Sequence, residues 1–477
     1  MTAFPSSPRY RMSVAKAMGV SILLFFPIIH LINPGREIAY ADDWSLAAYA
    51  ITGLALIVAY ARSSGHGPAL WVTVIAAAPV FAPLVSMEVL GFDRFSLVGS
   101  AFQNERTIVA PLVVAALSCM SIALLTAGSH GDRVLDRCAG RSSQLPPRNG
   151  KAALIWLVIA LLIAVVAAIA NNPTFDPVWR SSYKELLDRR VKEVAFAEGV
   201  FMAAFVIALA SKLTFEHSSA SKRTKRAASL LFWVVLVLSG LWKLVHGGRV
   251  AISGIGLFVW LLYGRPPSLT SVKWIFLISL IVVFALVGYT RNHRWDALSL
   301  IGYVPMPGGV ENVMSGWVAA YWLSYDGELD LVPGQTYAAE IQRLPPKMLE
   351  FERWPLPYDL VAEHVYLVGG EYFPIEPLIN FGVAGLVFYI LLFSIVTNSG
   401  WRAVTEFVNR PSISSASGFV LGGVWYCLLF RTLWYGLAHV IKTEIIALLL
   451  LWVIRTSISR LHVPIHSKAR LRLGHGD

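Results

Sequence analysis

Cysteine and charge are what this chain has least of. Three of its 477 residues are cysteines, Cys119, Cys138 and Cys427, and only 14% are charged. Three thiols lying in or beside apolar runs and one basic loop do not make a disulfide framework. No internal repeat of the inverted or parallel kind found in many transporters is visible, and no resident metal or cofactor is expected. The formal charge of +11 would fit a nucleic-acid partner if it formed a patch, but it is scattered over short loops between apolar runs, which excludes that reading. What is abundant is apolar: 56% of residues are hydrophobic and the mean hydropathy is +0.61. Those values, with apolar runs of bilayer length from end to end, predict an all-α, polytopic integral membrane protein.

Taking runs of roughly 17–25 apolar residues as spans places about twelve of them, near 14–33, 44–61, 69–90, 108–127, 152–170, 194–214, 229–247, 250–264, 273–290, 374–398, 418–437 and 439–457. Arg9, Arg11 and Lys16 precede the first run, which reads as an anchor because further spans follow at once. Basic residues collect at Arg133–Lys151, at Lys222–Arg226 and in the tail beyond Arg455. With twelve spans these segments share one side, so both termini are expected in the cytoplasm. The organisation expected is an N-terminal transmembrane bundle over 1–290, an extracytoplasmic loop or lid over 291–373, and C-terminal helices with a basic tail over 374–477.

The loop is too long for a turn and carries five basic against eleven acidic residues, the opposite bias to the basic loops. Its aromatics, among them Trp317, Tyr321, Trp322, Tyr337, Trp354 and Tyr358, predict an ordered lid lying on the membrane surface.

Cations also stand at helix ends on the side that the positive-inside bias should deplete: Lys243, His246 and Arg249; Arg291, His293 and Arg294; and Arg431, His439 and Lys442, with Glu444 one helical step deeper. Arginine forks and lysine point charges suit a diphosphate. Side chains snorkelling to headgroups, or holding a structural phospholipid, make the same demand. Facing them is Glu363–Gly385, a polar segment with His364, Glu371 and Glu376 that turns within a few residues into an apolar run, as expected at the edge of an active site or at a plain loop-to-helix junction. Glu376 or His364 could take a proton. Gly382 and Gly385 would let this helix pack closely on a neighbour. Asp42 and Asp43 after the first span read either as a base or cation site or as the cap of the next helix.

Gly247–Arg249 opening a helix, a large loop before the tenth span, the IEPLINFGVAG stretch with Glu376, Asn380, Gly382 and Gly385, and Arg431 in LLFRTLWYG together resemble the Wzy-type O-antigen and exopolysaccharide polymerases. The chain departs from that pattern at Pro377 and Leu378, where an aromatic often precedes the asparagine, and Asp42–Asp43 instead resembles the acidic pair of polyprenyl-phosphate sugar transferases. The resemblance implies a C-type glycosyltransferase-like enzyme of the bacterial inner membrane. It would join oligosaccharide repeat units carried on undecaprenyl diphosphate at the periplasmic face, among membrane lipids and with a chain-length regulator as a possible partner. Arg249 and Arg431 would bind the diphosphate with Arg291 and Lys243 behind them, Glu376 or His364 would serve as base, and Arg294, Asn380, Asp42 and Asp43 would line the site. The alternatives are an O-antigen ligase or polyprenyl-phosphate-dependent glycosyltransferase, and a flippase for a lipid-linked oligosaccharide.

Overall fold

A computed structural model describes residues 43–63, 67–84, 105–126, 147–170, 183–245, 249–263, 310–325, 330–342, 354–355, 357–363, 372–409, 411 and 415–461. The expected spans at 14–33 and 273–290 lie outside the described residues. Within them the chain is all-helical: α1 (Asp43–Arg62), α2 (Pro68–Leu84), α3 (Glu105–Leu125), α4 (Pro147–Ala170), α5 (Tyr183–Glu216), α6 (Lys222–Val245), α7 (Arg249–Tyr263), α8 (Val310–Tyr325), α9 (Gln335–Gln342), α10 (Pro357–Ala362), α11 (Ile375–Asn409), α12 (Ala416–Cys427), α13 (Leu429–Tyr435) and α14 (Ala438–Leu461). Among the described residues four stretches, Gly150–Ala170, Ala197–Glu216, Lys222–Lys243 and Ile375–Asn409, are long and apolar enough to cross a bilayer, and several shorter apolar helices accompany them. This is the pattern of a multi-pass membrane protein.

Apolarity is distributed by position in the bundle. Every residue from Phe201 to Ala210 is buried, so α5, hydrophobic on all sides there, is the central helix. The peripheral α6 instead exposes Leu230, Leu231, Val234, Val237, Leu238 and Leu241, a face suited to lipid. Where α7 crosses α12, a Cβ at Gly254 would collide with the Cys427 carbonyl, so only glycine admits this approach. Phe258 then packs on Phe419 and Tyr426, at ring separations of 5.8 and 6.4 Å.

Chain direction defines two ends. Residues 217–221 join α5 to α6 at the end where Lys222–Arg226 gather. There Lys212, 3% exposed, is held by Glu216 at 2.7 Å and the Tyr263 hydroxyl at 3.2 Å, inside the rings of Phe232, Trp233 and Tyr263. A cation within a span is thus compensated locally, as burial of charge requires. The opposite end receives Lys243, the start of α7 at Arg249, the start of α11 and the start of α14.

The long connection is not confined to a surface lid. α8 buries Val313, Met314, Trp317, Val318, Ala319, Ala320 and Leu323, and the Trp317 indole N–H donates to the Pro111 carbonyl at 2.9 Å. Pro111 stands inside α3, and an indole buried at this depth needs an acceptor. The aromatics read as surface anchors include, in α8, one that fastens this helix into the core.

A candidate site around a broken helix

α11 begins where expected, with Glu376 in its first turn, but it is two helices joined at Gly382, which takes φ 63° and ψ −155°. A side chain would be strained there. The break has two consequences. Past it, the chain folds so closely on the first segment that a Cβ at Gly385 would strike the Pro377 carbonyl and the Phe381 side chain. Gly382 and Gly385 are therefore the device of the break itself, which corrects the expectation that they pack α11 on a neighbouring helix. In an unbroken helix, Glu376 and Tyr389 would stand about 20 Å apart along the axis; here the Tyr389 ring stacks at 6.1 Å on Phe373, three residues before Glu376.

The interruption also frees backbone groups in the short first segment, and the loop supplies partners. Val332 N–H donates to the Ile379 carbonyl at 3.1 Å. The Asn380 amide donates to the Glu376 carbonyl at 2.7 Å and to the Thr336 hydroxyl on α9. The next loop residue, Tyr337, stacks on Phe381 at 6.3 Å, and its phenol is pushed well above the ordinary tyrosine range, first by burial and then by the Glu376 charge.

Glu376 is 4% exposed, and its Oε2 accepts the Leu437 backbone N–H at 3.3 Å. Leu437 follows Gly436, in the left-handed region at φ 84°, and immediately precedes α14. The carboxylate therefore sits against the start of α14 while occupying the first turn of its own helix, and both helix dipoles favour negative charge there. α13 fixes this arrangement from the other side. Its Leu433 carbonyl accepts Phe373 N–H at 2.9 Å, its Trp434 indole donates to the Ile75 carbonyl at 2.9 Å, and the Tyr372 hydroxyl donates to the neighbouring Ala76 carbonyl. Tyr372, four residues before Glu376, and Trp434, three before the Leu437 that bonds it, are thereby tied to the middle of α2.

Arg431 stands in the first turn of the same α13. Its Nη2 donates to both oxygens of Glu198, at 2.9 and 2.8 Å, with the two side chains 22% and 17% exposed. One turn along α5 from Glu198 is Phe201, whose ring lies 5.1 Å from the Lys243 ammonium; Lys243 is 1% exposed. α14 closes on this part of α5, where a Cβ at Gly199 would meet the Ile446 and Thr443 side chains. On the following residue, Glu444, Oε2 is buried with no hydrogen-bond partner among the described residues.

Of the residues expected in the site, Glu376 and Asn380 come together in the short segment, Arg431 stands at the start of α13, which ends two residues before the Leu437 that bonds Glu376, and Lys243 neighbours Arg431 by way of Glu198 and Phe201. Asp43 and Arg249 are the first residues of α1 and α7, and their side chains lie outside the described residues, as do His364, Arg291, Arg294 and Asp42. Glu198, Thr336, Tyr337 and Tyr389 were not anticipated. Glu198 did leave a signal, an acid at the start of the apolar run AFAEGVFMAAF. Tyr389 left none, because an aromatic in an apolar run reads as packing. No cluster of His, Cys, Asp or Glu able to hold a metal occurs among the described residues.

These features define a class: a helical multi-pass membrane protein with a buried carboxylate and paired cations gathered toward one end of its bundle. No protein-family model, curated protein or solved structure matches the chain.

Proposed function

We propose that this protein is a lipid-linked oligosaccharide polymerase of the bacterial inner membrane, with both termini cytoplasmic and its site toward the periplasmic face. The observation that carries the reading is the relation of Glu376 to Arg431. A carboxylate 4% exposed meets the backbone just beyond the last turn of α13, and a guanidinium stands in that helix's first turn. One group, on α11, can take a proton, and the other, on the seven-residue α13 whose following turn bonds that carboxylate, can meet a phosphate.

In the reaction, Glu376 accepts the proton of the acceptor sugar's hydroxyl as that oxygen bonds to the donor's anomeric carbon. The bond from that carbon to the diphosphate oxygen breaks, and undecaprenyl diphosphate departs with the electron pair. The leaving group needs no added proton; it needs positive charge where its own charge accumulates, the role of Arg431 with Lys243 and Arg249. Asn380 holds the short segment to α9 and so sets the depth of the carboxylate.

Glu376→Gln tests this. The amide oxygen can still accept the Leu437 N–H, so expression and melting temperature are expected to stay near those of the parent while high-molecular-weight polysaccharide disappears from the cells. A polymer ladder unchanged on a gel would remove Glu376 as the base. A second reading, transport of the lipid-linked sugar, draws on Glu444, a carboxylate oxygen without a bond inside the last helix, because groups that load and unload ions sit at such depths. Translocation that continues in Glu376→Gln while polymer stops would favour the polymerase; loss of translocation in Glu444→Gln would favour the transporter.

A further inference from the structure

Two polar atoms beside Glu376 are unpartnered. Asn380 is fully buried, and while its amide nitrogen donates twice, Oδ1 has no hydrogen-bond partner among the described residues. Tyr389 is 4% exposed and its hydroxyl likewise has none. Buried polar groups left without partners are costly, and native folds retain few. Packing gives no reason to retain the phenol. The Tyr389 ring stacks on Phe373 and Phe393, both at 6.1 Å and 21°, contacts that phenylalanine would make as well. Yet past the break at Gly382 the Tyr389 ring comes back against Phe373, three residues before Glu376, so the unpartnered phenol belongs to the surroundings of the segment that carries the carboxylate.

We propose that the Tyr389 hydroxyl and Asn380 Oδ1 are the hydrogen-bonding groups of a sugar subsite adjoining Glu376, which holds the acceptor sugar by hydroxyls next to the one that reacts. The inference rests on the polymerase reading and assigns it a specificity-determining pair. The chemistry is complementary. A pyranose presents neighbouring hydroxyls that donate and accept; Oδ1 can only accept, the phenol can do either, and Glu376 receives the proton of the hydroxyl that reacts. A site built this way discriminates strongly against an acceptor lacking one of those hydroxyls, because a buried group is then left unpaired again.

The test is Tyr389→Phe in the full chain, assayed in membrane vesicles supplied with lipid-linked repeat units extracted from cells lacking this protein. Expected are a melting temperature equal to or above the parent's, since an unpaired hydroxyl has been removed, and a roughly tenfold lower rate at limiting repeat unit that recovers at saturating repeat unit. A variant with parental rates at both concentrations overturns the subsite, as does a loss that saturation leaves in place. A lowered melting temperature overturns it too, because the hydroxyl then has a structural partner. Glu376→Gln in the same vesicles separates the two ideas: if it is inactive while Tyr389→Phe is parental, the polymerase stands and the subsite falls. If the parent protein itself forms no polymer, both fall.

Discussion

The pair between Arg431 and Glu198 makes the simplest test of the diphosphate site ambiguous and suggests a better one. Removing one partner of a fully buried ion pair costs about 3–5 kcal/mol, because the other charge stays behind uncompensated. Here the side chains are 22% and 17% exposed, so water offsets part of that and a loss of about 2 kcal/mol is expected for Arg431→Gln. Such a loss could by itself lower the amount of protein in the membrane several-fold. Polymer missing from the single variant would therefore say little about chemistry. The double variant Arg431→Gln with Glu198→Gln removes both charges, so neither is left without its counter-charge. Melting of the full chain in detergent should show the double variant regaining most of the stability lost by the single one, a coupling that a double-mutant cycle isolates. Polymer formation should remain absent in both if the guanidinium meets the diphosphate. A double variant that regains stability and polymer together would refute the assignment and make Arg431 a structural residue.

The remaining predictions concern the break and the loop docked on it. Gly385→Ala puts a Cβ against the Pro377 carbonyl, so the two halves of α11 must part, whereas Gly382→Ala has open space around it and costs only the strain of a conformation, φ 63° and ψ −155°, that is essentially confined to glycine, about 1–3 kcal/mol. Gly385→Ala should melt lower than Gly382→Ala; the reverse order would mean the two halves are not in contact. Tyr337 has a raised proton affinity in the folded chain, so the stability it contributes is complete below the ordinary tyrosine value of about 10 and is lost as pH rises above it toward the folded value. Tyr337→Phe should flatten the alkaline limb of stability against pH, and Glu376→Gln should shorten it, because without the neighbouring charge the folded value is raised less and less stability is lost; coincident curves for all three proteins would mean that Tyr337 and Glu376 are not neighbours.

Hydropathy made the helical, multi-pass character legible because apolar length is a property of contiguous residues. The start of α11 was equally visible, since proline on either side of Ile375–Glu376 suits a first helical turn. The break at Gly382 was not: a glycine in an apolar run is equally consistent with close packing, and only the positive φ distinguishes the two. Tertiary pairs were out of reach for a related reason. Arg431 could be read as a cation at a helix end, but its partner lies 233 residues earlier, one of several acids in α5, and nothing contiguous singles it out as the partner. α8 escaped because Trp317 is an interfacial anchor and a core residue in the same letter, and what decides is the Pro111 carbonyl opposite it.

Charge balance bears on what could bind here. Among the described side chains near this end, Arg431, Lys243 and Lys442 stand with Glu198, Glu376 and Glu444, and Asp330 lies two residues before the Val332 that bonds Ile379, so positive charge is not in excess. An empty site that held a cluster of free cations inside a bundle would be unstable; one in which Glu198 grips Arg431 is not. On the polymerase reading, Glu198 then does for the resting protein what phosphate oxygens do during turnover: it gives the same planar fork two oxygens to hold. On that reading binding is an exchange of one oxyanion for another, so its affinity is the difference between two charge-assisted bonds. A product of turnover, undecaprenyl diphosphate, must leave, and a carboxylate waiting to retake the arginine lowers the barrier to its release. That demand also separates the readings, because a protein holding a phospholipid for structural reasons has no use for a competitor to its own ligand.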